Sequence, residues 1–212
     1  MLVAERTGAE IVSVDSMQVY RGMDIGTAKP SAAEQAEVPH HMIDLADPGD
    51  AYSVAEFQAA GRRVLDDLER RGVPALIVGG SGLHFRALVD PLEFPESDPG
   101  VRSAVDALEP AEAVARLLAA DPGAGDHVDL ANPRRVARAL EIHETSGATP
   151  SMRAATPEAE AVRAYRPLVP LAAAIVDPGD RLPYRVAGRF GRMMEAGFLD
   201  EVGGLVPVMG RT

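Results

Sequence analysis

Asp15 closes a short apolar run, Ile11 to Val14, and opens a polar loop that ends at Pro30 (IVSVDSMQVYRGMDIGTAKP). The loop carries Gly22, Gly26 and the cations Arg21 and Lys29. Open α/β sheets bind ligands beyond the carboxyl ends of their strands, so a carboxylate here can take a proton from a nucleophile. The plainer role for Asp15 is to cap its own turn.

Three further groups of residues could carry chemistry. Gly79-Gly80-Ser81-Gly82 lies between an apolar run and a helical stretch. Glycines allow close backbone approach there, and a helix start favours an anion, although a tight turn needs the same residues. Arg181, Arg185, Arg189 and Arg192 are spaced four, four and three apart, which predicts one helical face. Like charges in a row repel unless neutralised. Phosphate held by forked guanidinium groups is one solution; pairing with Glu195, Asp200 or Glu201 is the other. Arg134, Arg135 and Arg138 begin a helix that Asn132 can cap. Cations oppose the dipole there, which points to nucleic-acid backbone or to acids elsewhere in the fold. The five histidines have no metal-ligand spacing, and no Ser-His-Asp set is legible.

The elements that must position these groups follow from pattern. Met1–Thr7 reads as a helix stopped by Gly8, and Ile11–Val14 as a strand. A helix follows Ser31, Met42–Leu45 is a candidate strand, and Ser53 with Glu56 forms a capping box for Val54–Arg71. Pro74–Val78 is a strand and Leu83–Val89 a helix, an order that implies parallel pairing. From Asp90 to about Ala155, prolines punctuate short helices, the strongest being Pro133–Thr145. Pro170–Val176 has strand character, Asp180–Ala196 is helical with Gly197 as its stop, and Phe198–Leu205 is a last short helix.

The 212 residues, 46% apolar, suffice for one core with a subdomain. Aromatics are only 4%, so aliphatic side chains build that core. Without cysteine there is neither a disulfide nor a thiolate metal site. No apolar run approaches the roughly 18 residues of a membrane span, and no signal-peptide pattern opens the chain, so a cytoplasmic protein is expected. A net charge of −11 excludes a generally basic coat but not a local phosphate-binding cluster.

Five blocks together resemble the tRNA dimethylallyltransferases, also called tRNA isopentenyltransferases. They are DSMQVYRGMDIGTAKP, PHHMIDLADPGDAYSVAEF, LIVGGSGLHFRAL, NPRRVARALEIHETSG and RVAGRFGRMMEAGFLDEV, in the family's order. The resemblance implies an α/β, P-loop NTPase-like parallel-sheet core from residues 1–90 and 156–212, with a helical tRNA-binding insertion at 91–155. It implies transfer of a dimethylallyl group from dimethylallyl diphosphate to N6 of adenosine 37 in tRNAs reading codons that start with U. The partners would be the tRNA anticodon stem-loop and the donor, the enzyme a monomer, and magnesium would assist the diphosphate. By the same resemblance Asp15 is the general base, and Ser16, Met17 and Gln18 adjoin the tRNA. Ser81 stands where the family has threonine. Arg102 lies near the RNA, and Arg134, Arg135, Val136, Ala137 and Arg138 match the segment that contacts tRNA. Arg189, with Arg185 one turn before it, holds the diphosphate.

The departures carry expectations too. The family's phosphate loop, GPTxSGK[ST], should precede the helix ending at Thr7, together with a strand; the family also continues past residue 212. A chain lacking these is expected to have weak activity and exposed strand edges. Comparing prenyl transfer by this chain and by one with the phosphate loop restored checks this. An adenylate isopentenyltransferase and a non-catalytic tRNA-binding protein remain the alternative readings.

Overall fold

The structure, a computed structural model, describes residues 1–209; residues 210–212 of the expected core segment lie outside it. The chain divides into two units: Met1–Val89 with the chain from Leu171 onward, and Asp90–Pro170. Helix Pro157–Arg163 therefore belongs with the second unit, whereas the sequence reading ended that unit at Ala155.

The first unit is built on a parallel sheet of three strands. These are β1 (Glu10–Ser13), β2 (His40–His41) and β3 (Ala75–Val78), in the order β2-β1-β3. β1 is central. Ile11 and Val12 pair with His40 and His41 on one side, and Glu10 to Ser13 pair with Ala75 to Val78 on the other. A strand with a partner on each side is covered, and Ile11, Val12 and Val14 are buried accordingly.

Local signals set the helices. α1 (Leu2–Thr7) stops at Gly8, whose left-handed backbone suits glycine. α2 (Ala32–Glu37) and α3 (Val54–Arg71) each start with a full capping box, Ser31 with Glu34 and Ser53 with Glu56. α4 (Gly82–Val89) lies against α3. Gly61 permits that approach, since a Cβ there would collide with Leu88. Phe57 and Leu88 close the space between, and Gln58 Nε2 donates to the Ala87 carbonyl at 3.0 Å.

The second unit is helical throughout: α5 (Pro99–Asp106), α6 (Pro110–Ala120), α7 (Pro133–Ser146), α8 (Pro150–Ala154) and α9 (Pro157–Arg163). Val105, Leu117, Val136 and Leu140 form its core. α10 (Leu182–Glu195) and α11 (Phe198–Leu205) complete the first unit, separated by Gly197 in the left-handed region.

Three sequence expectations need correction. Met42–Leu45 is not a strand: Met42 and Asp44 have φ of 66° and 56°, and the strand is His40–His41 instead. Pro170–Val176 is not a strand either. Those residues are exposed and irregular, because an apolar run becomes a strand only where a sheet edge receives it. Arg181 ends a 3-10 turn (Gly179–Arg181) rather than lying within α10, so the helical row has three arginines.

Candidate active site

Asp15 lies two residues past the end of β1, after Val14, and its carboxylate is held by its own loop. Oδ1 accepts from the backbone N–H of Met17 at 2.8 Å and of Gln18 at 3.3 Å. It thus caps its turn. Oδ2 has no such partner among the described residues, and the capped turn presents it at the carboxyl end of the sheet's central strand. Gln18 locks the loop further. Its Nε2 donates to the carbonyls of Thr27 and Ala28 at 3.1 and 3.4 Å, and its Oε1 accepts from Ser13 Oγ at 2.9 Å. Ser16 is exposed, as is the large apolar side chain of Met17.

The Gly79–Gly82 loop comes to the same place. Val14 N donates to the Val78 carbonyl at 2.8 Å, and Ser81 N donates to the Val14 carbonyl at 3.2 Å. Gly79 is obligatory there, because a Cβ would sit 2.5 Å from the Val14 carbonyl oxygen. The sheet register therefore makes the Asp15 turn and the Ser81 turn neighbours. Ser81 Oγ and His84 Nδ1 share a hydrogen bond of 2.7 Å. Burial pushes the His84 imidazole down, while the Asp15 carboxylate pulls it up. No histidine spacing in the sequence marks this site; α4 turns His84 back over Ser81.

Lys29 is the loop's central strut. Its side chain is 3% exposed, and Nζ donates to Tyr20 O, Asp24 Oδ1 and Asp44 Oδ1 at 2.8, 2.6 and 2.6 Å. A buried ammonium is tolerated because oxygens satisfy all three of its donors.

The arginines divide into committed and uncommitted groups. Arg185, Arg189 and Arg192 line one cavity of about 480 Å³ with Val176, Leu182 and Tyr184. No ion pair engages any of the three among the described residues. Asp15 does not line this cavity. In the second unit Arg138 pairs with Glu141 at 2.8 Å and donates to the Pro95 carbonyl at 2.6 Å. Arg102 pairs with Asp106 at 2.8 Å and with Glu141 at 3.3 Å. Glu141 is fully buried. Burial works to raise its pKa, but the Ser97 hydroxyl and Arg138 outweigh that and hold it low. Arg138 and Arg102 are thus balanced by acids inside the unit. Arg134 and Arg135 are exposed, Val136 is core, and Ala137 packs beside it.

No three carboxylate or imidazole groups converge among the described residues. No helix among the described residues is long and apolar enough to cross a membrane.

Comparison with known proteins adds the following. The family model described as IPP transferase matches residues 18–211. A tRNA dimethylallyltransferase of Bifidobacterium longum is 44% identical over 96% of this chain and 61% of its own length. One from Burkholderia cenocepacia is 45% identical over 95% of this chain and 64% of its own. The chain thus spans less than two thirds of the length of these curated relatives. Among solved structures, the full-length tRNA isopentenylpyrophosphate transferase from Bacillus halodurans matches with a TM-score of 0.57 and 33% identity, over 97% of this chain and 64% of that one. A eukaryotic dimethylallyltransferase acting on tRNA matches in fold, with a TM-score of 0.75 and 23% identity, over 97% of this chain and 51% of that one.

Proposed function

Because the chain belongs to the IPP transferase family, with that family's P-loop NTPase-like fold, we propose that it transfers a dimethylallyl group to tRNA. The donor is dimethylallyl diphosphate and the acceptor is N6 of adenosine 37 in tRNAs reading codons that begin with U. The protein acts as a monomer on the anticodon stem-loop, in the cytoplasm where that substrate is found.

The observation that carries this reading is the Asp15 turn lying beside the Ser81 turn at the carboxyl end of β1. The chemistry follows from the residue types. The N6 nitrogen forms a bond to C1 of the allyl group as the C1–O bond to diphosphate breaks. Asp15 Oδ2 accepts the N6 proton, which offsets the poor nucleophilicity of an aromatic amine. The leaving diphosphate gathers charge that guanidinium groups can stabilise; the resemblance gives that role to Arg185 and Arg189, whose cavity Asp15 does not line, so the bound donor itself must bridge the two. Magnesium would arrive bound to the diphosphate and would neutralise part of its charge. Adenosine 37 must leave its stack to reach Asp15. Exposed Arg134 and Arg135 suit the RNA backbone; Arg102 and Arg138 orient Glu141 while their partly exposed guanidinium groups still face solvent, where the tRNA would lie.

The test is transfer of radiolabelled dimethylallyl from its diphosphate to unmodified tRNA, with AMP as competing acceptor. Label on N6 of adenosine 37 supports the reading. Label on AMP alone replaces it with nucleotide prenylation. RNA binding without donor binding replaces it with a non-catalytic role.

A further inference from the structure

Three successive backbone amides converge on one carboxylate. The N–H groups of Asp24 and Ile25 donate to Glu201 Oε2 at 2.8 and 2.7 Å, and that of Gly26 donates to Oε1 at 2.9 Å. Consecutive amides pointing into one concavity make an anion site, and bonds to a charged acceptor are the stronger kind. Glu201 lies on α11, about 175 residues away in sequence, so no local requirement creates the contact. Gly26 allows it, because a Cβ there would stand 2.7 Å from Phe198 Cε2 on the same helix.

The held loop leads to the site. Residues 24–26 run into Thr27 and Ala28, whose carbonyls accept from Gln18 Nε2. Gln18 N donates to Asp15 Oδ1, and Gln18 Oε1 accepts from Ser13. A continuous series of hydrogen bonds and short peptide links therefore joins Glu201 to Asp15. The space around Glu201 is a cavity of about 660 Å³ with mostly apolar walls, including Met17, Met23, Phe198 and Leu205. Among the described residues lining it, Glu201 is the charged acceptor that reaches the three amides.

We propose that Glu201 is the positioning residue of the Asp15 loop. It is an internal carboxylate seated in a backbone anion site, and a free small carboxylate takes its place when the side chain is removed. Glu201 touches no reacting atom and acts through the 24–28 segment and Gln18. This deepens the proposed function and rests on it for the role of Asp15, whereas occupancy of the amide site stands without it.

Amide hydrogen exchange of the whole chain, followed by NMR, tests the proposal. In the unmutated protein the Asp24, Ile25 and Gly26 amides are protected. Glu201→Ala raises their exchange about tenfold or more, as expected for a locally opened segment. Formate restores protection, and chloride at equal ionic strength does not. Glu201→Gln keeps the volume but offers one acceptor oxygen, so protection falls and formate cannot enter to restore it. Unchanged protection in Glu201→Ala, or equal rescue by chloride, overturns the proposal. If Glu201→Ala does not fold, unchanged protection of all three amides in Glu201→Gln overturns it instead. In the transfer assay Glu201→Ala lowers kcat, leaves KM for the donor unchanged, and regains rate with formate. A protein that shows the exchange pattern without any transfer removes the proposed function and leaves the anion site intact.

Discussion

Ser81 Oγ lies 2.7 Å from His84 Nδ1, and the His84 ring meets the edge of Phe57 at a centroid distance of 4.5 Å. The hydroxyl beside the Asp15 turn is therefore oriented by an imidazole that burial holds below its usual pKa. A histidine whose folded pKa is lowered binds fewer protons folded than unfolded. Its contribution to stability is complete above pH 6.5 and is lost as the pH falls from there toward the folded value. We expect acidification through this window to loosen the Ser81 turn, read as loss of amide protection at Ser81 and His84. His84→Asn removes the dependence.

Glu10 supplies a second, lower window. Its carboxylate accepts from Arg71 at 2.6 and 2.8 Å and meets His41 at 2.6 Å. The Arg71 hydrogen bonds come first among the causes that lower its pKa to about 2. A lowered carboxylate stabilises above its ordinary pKa of 4.5, and that stability disappears as the pH falls from there toward 2. After discounting for the partly exposed Arg71, the loss amounts to about 2 kcal/mol. Glu10→Gln should flatten the melting temperature between pH 5 and pH 3, and a slope equal to that of the unmutated protein contradicts the assignment.

Glu141 is the charge on which the second unit depends. Replacing it with Ala leaves Arg138 and Arg102 without their shared partner beside the core. Breaking such a pair costs about 3 kcal/mol, the lower part of the usual range because both arginines reach solvent. Urea denaturation of Glu141→Ala measures it, and a change under about 1 kcal/mol rules out the role.

Gly79→Ala tests the join between the two turns. The added methyl meets the Val14 carbonyl, which cannot yield without breaking the β1–β3 ladder. We expect a loss of about 2–4 kcal/mol together with a displaced Ser81 turn. Gly80→Ala, with open space around its Cβ, is the control and should be nearly neutral.

Asp15→Asn and Arg189→Ala should separate turnover from donor binding. Asparagine keeps the turn cap through its side-chain oxygen but cannot take the N6 proton, so kcat falls by about 10²–10⁴ while donor affinity holds. Removing Arg189 weakens donor binding by about tenfold or more, measured by titration calorimetry. Equal effects of both changes on donor affinity would defeat this division of labour.

Much of this was legible in the sequence because the signals are local. The capping boxes at Ser31 and Ser53, the glycine stops at Gly8, Gly72 and Gly147, and the apolar runs of β1 and β3 each act over a few residues. They place Asp15 and Ser81 at strand ends, and the parallel register then makes those ends neighbours. Tertiary structure decided the rest. Whether Pro170–Val176 becomes a strand depends on an available sheet edge. Whether Arg138 is free for RNA depends on Glu141 beneath it. The partners of the 24–26 amides lie on α11, and Lys29 depends on Asp44, which a left-handed backbone turns toward it. Side-chain spacing along the chain carries none of this, since charge compensation and edge pairing act through space between segments far apart in sequence.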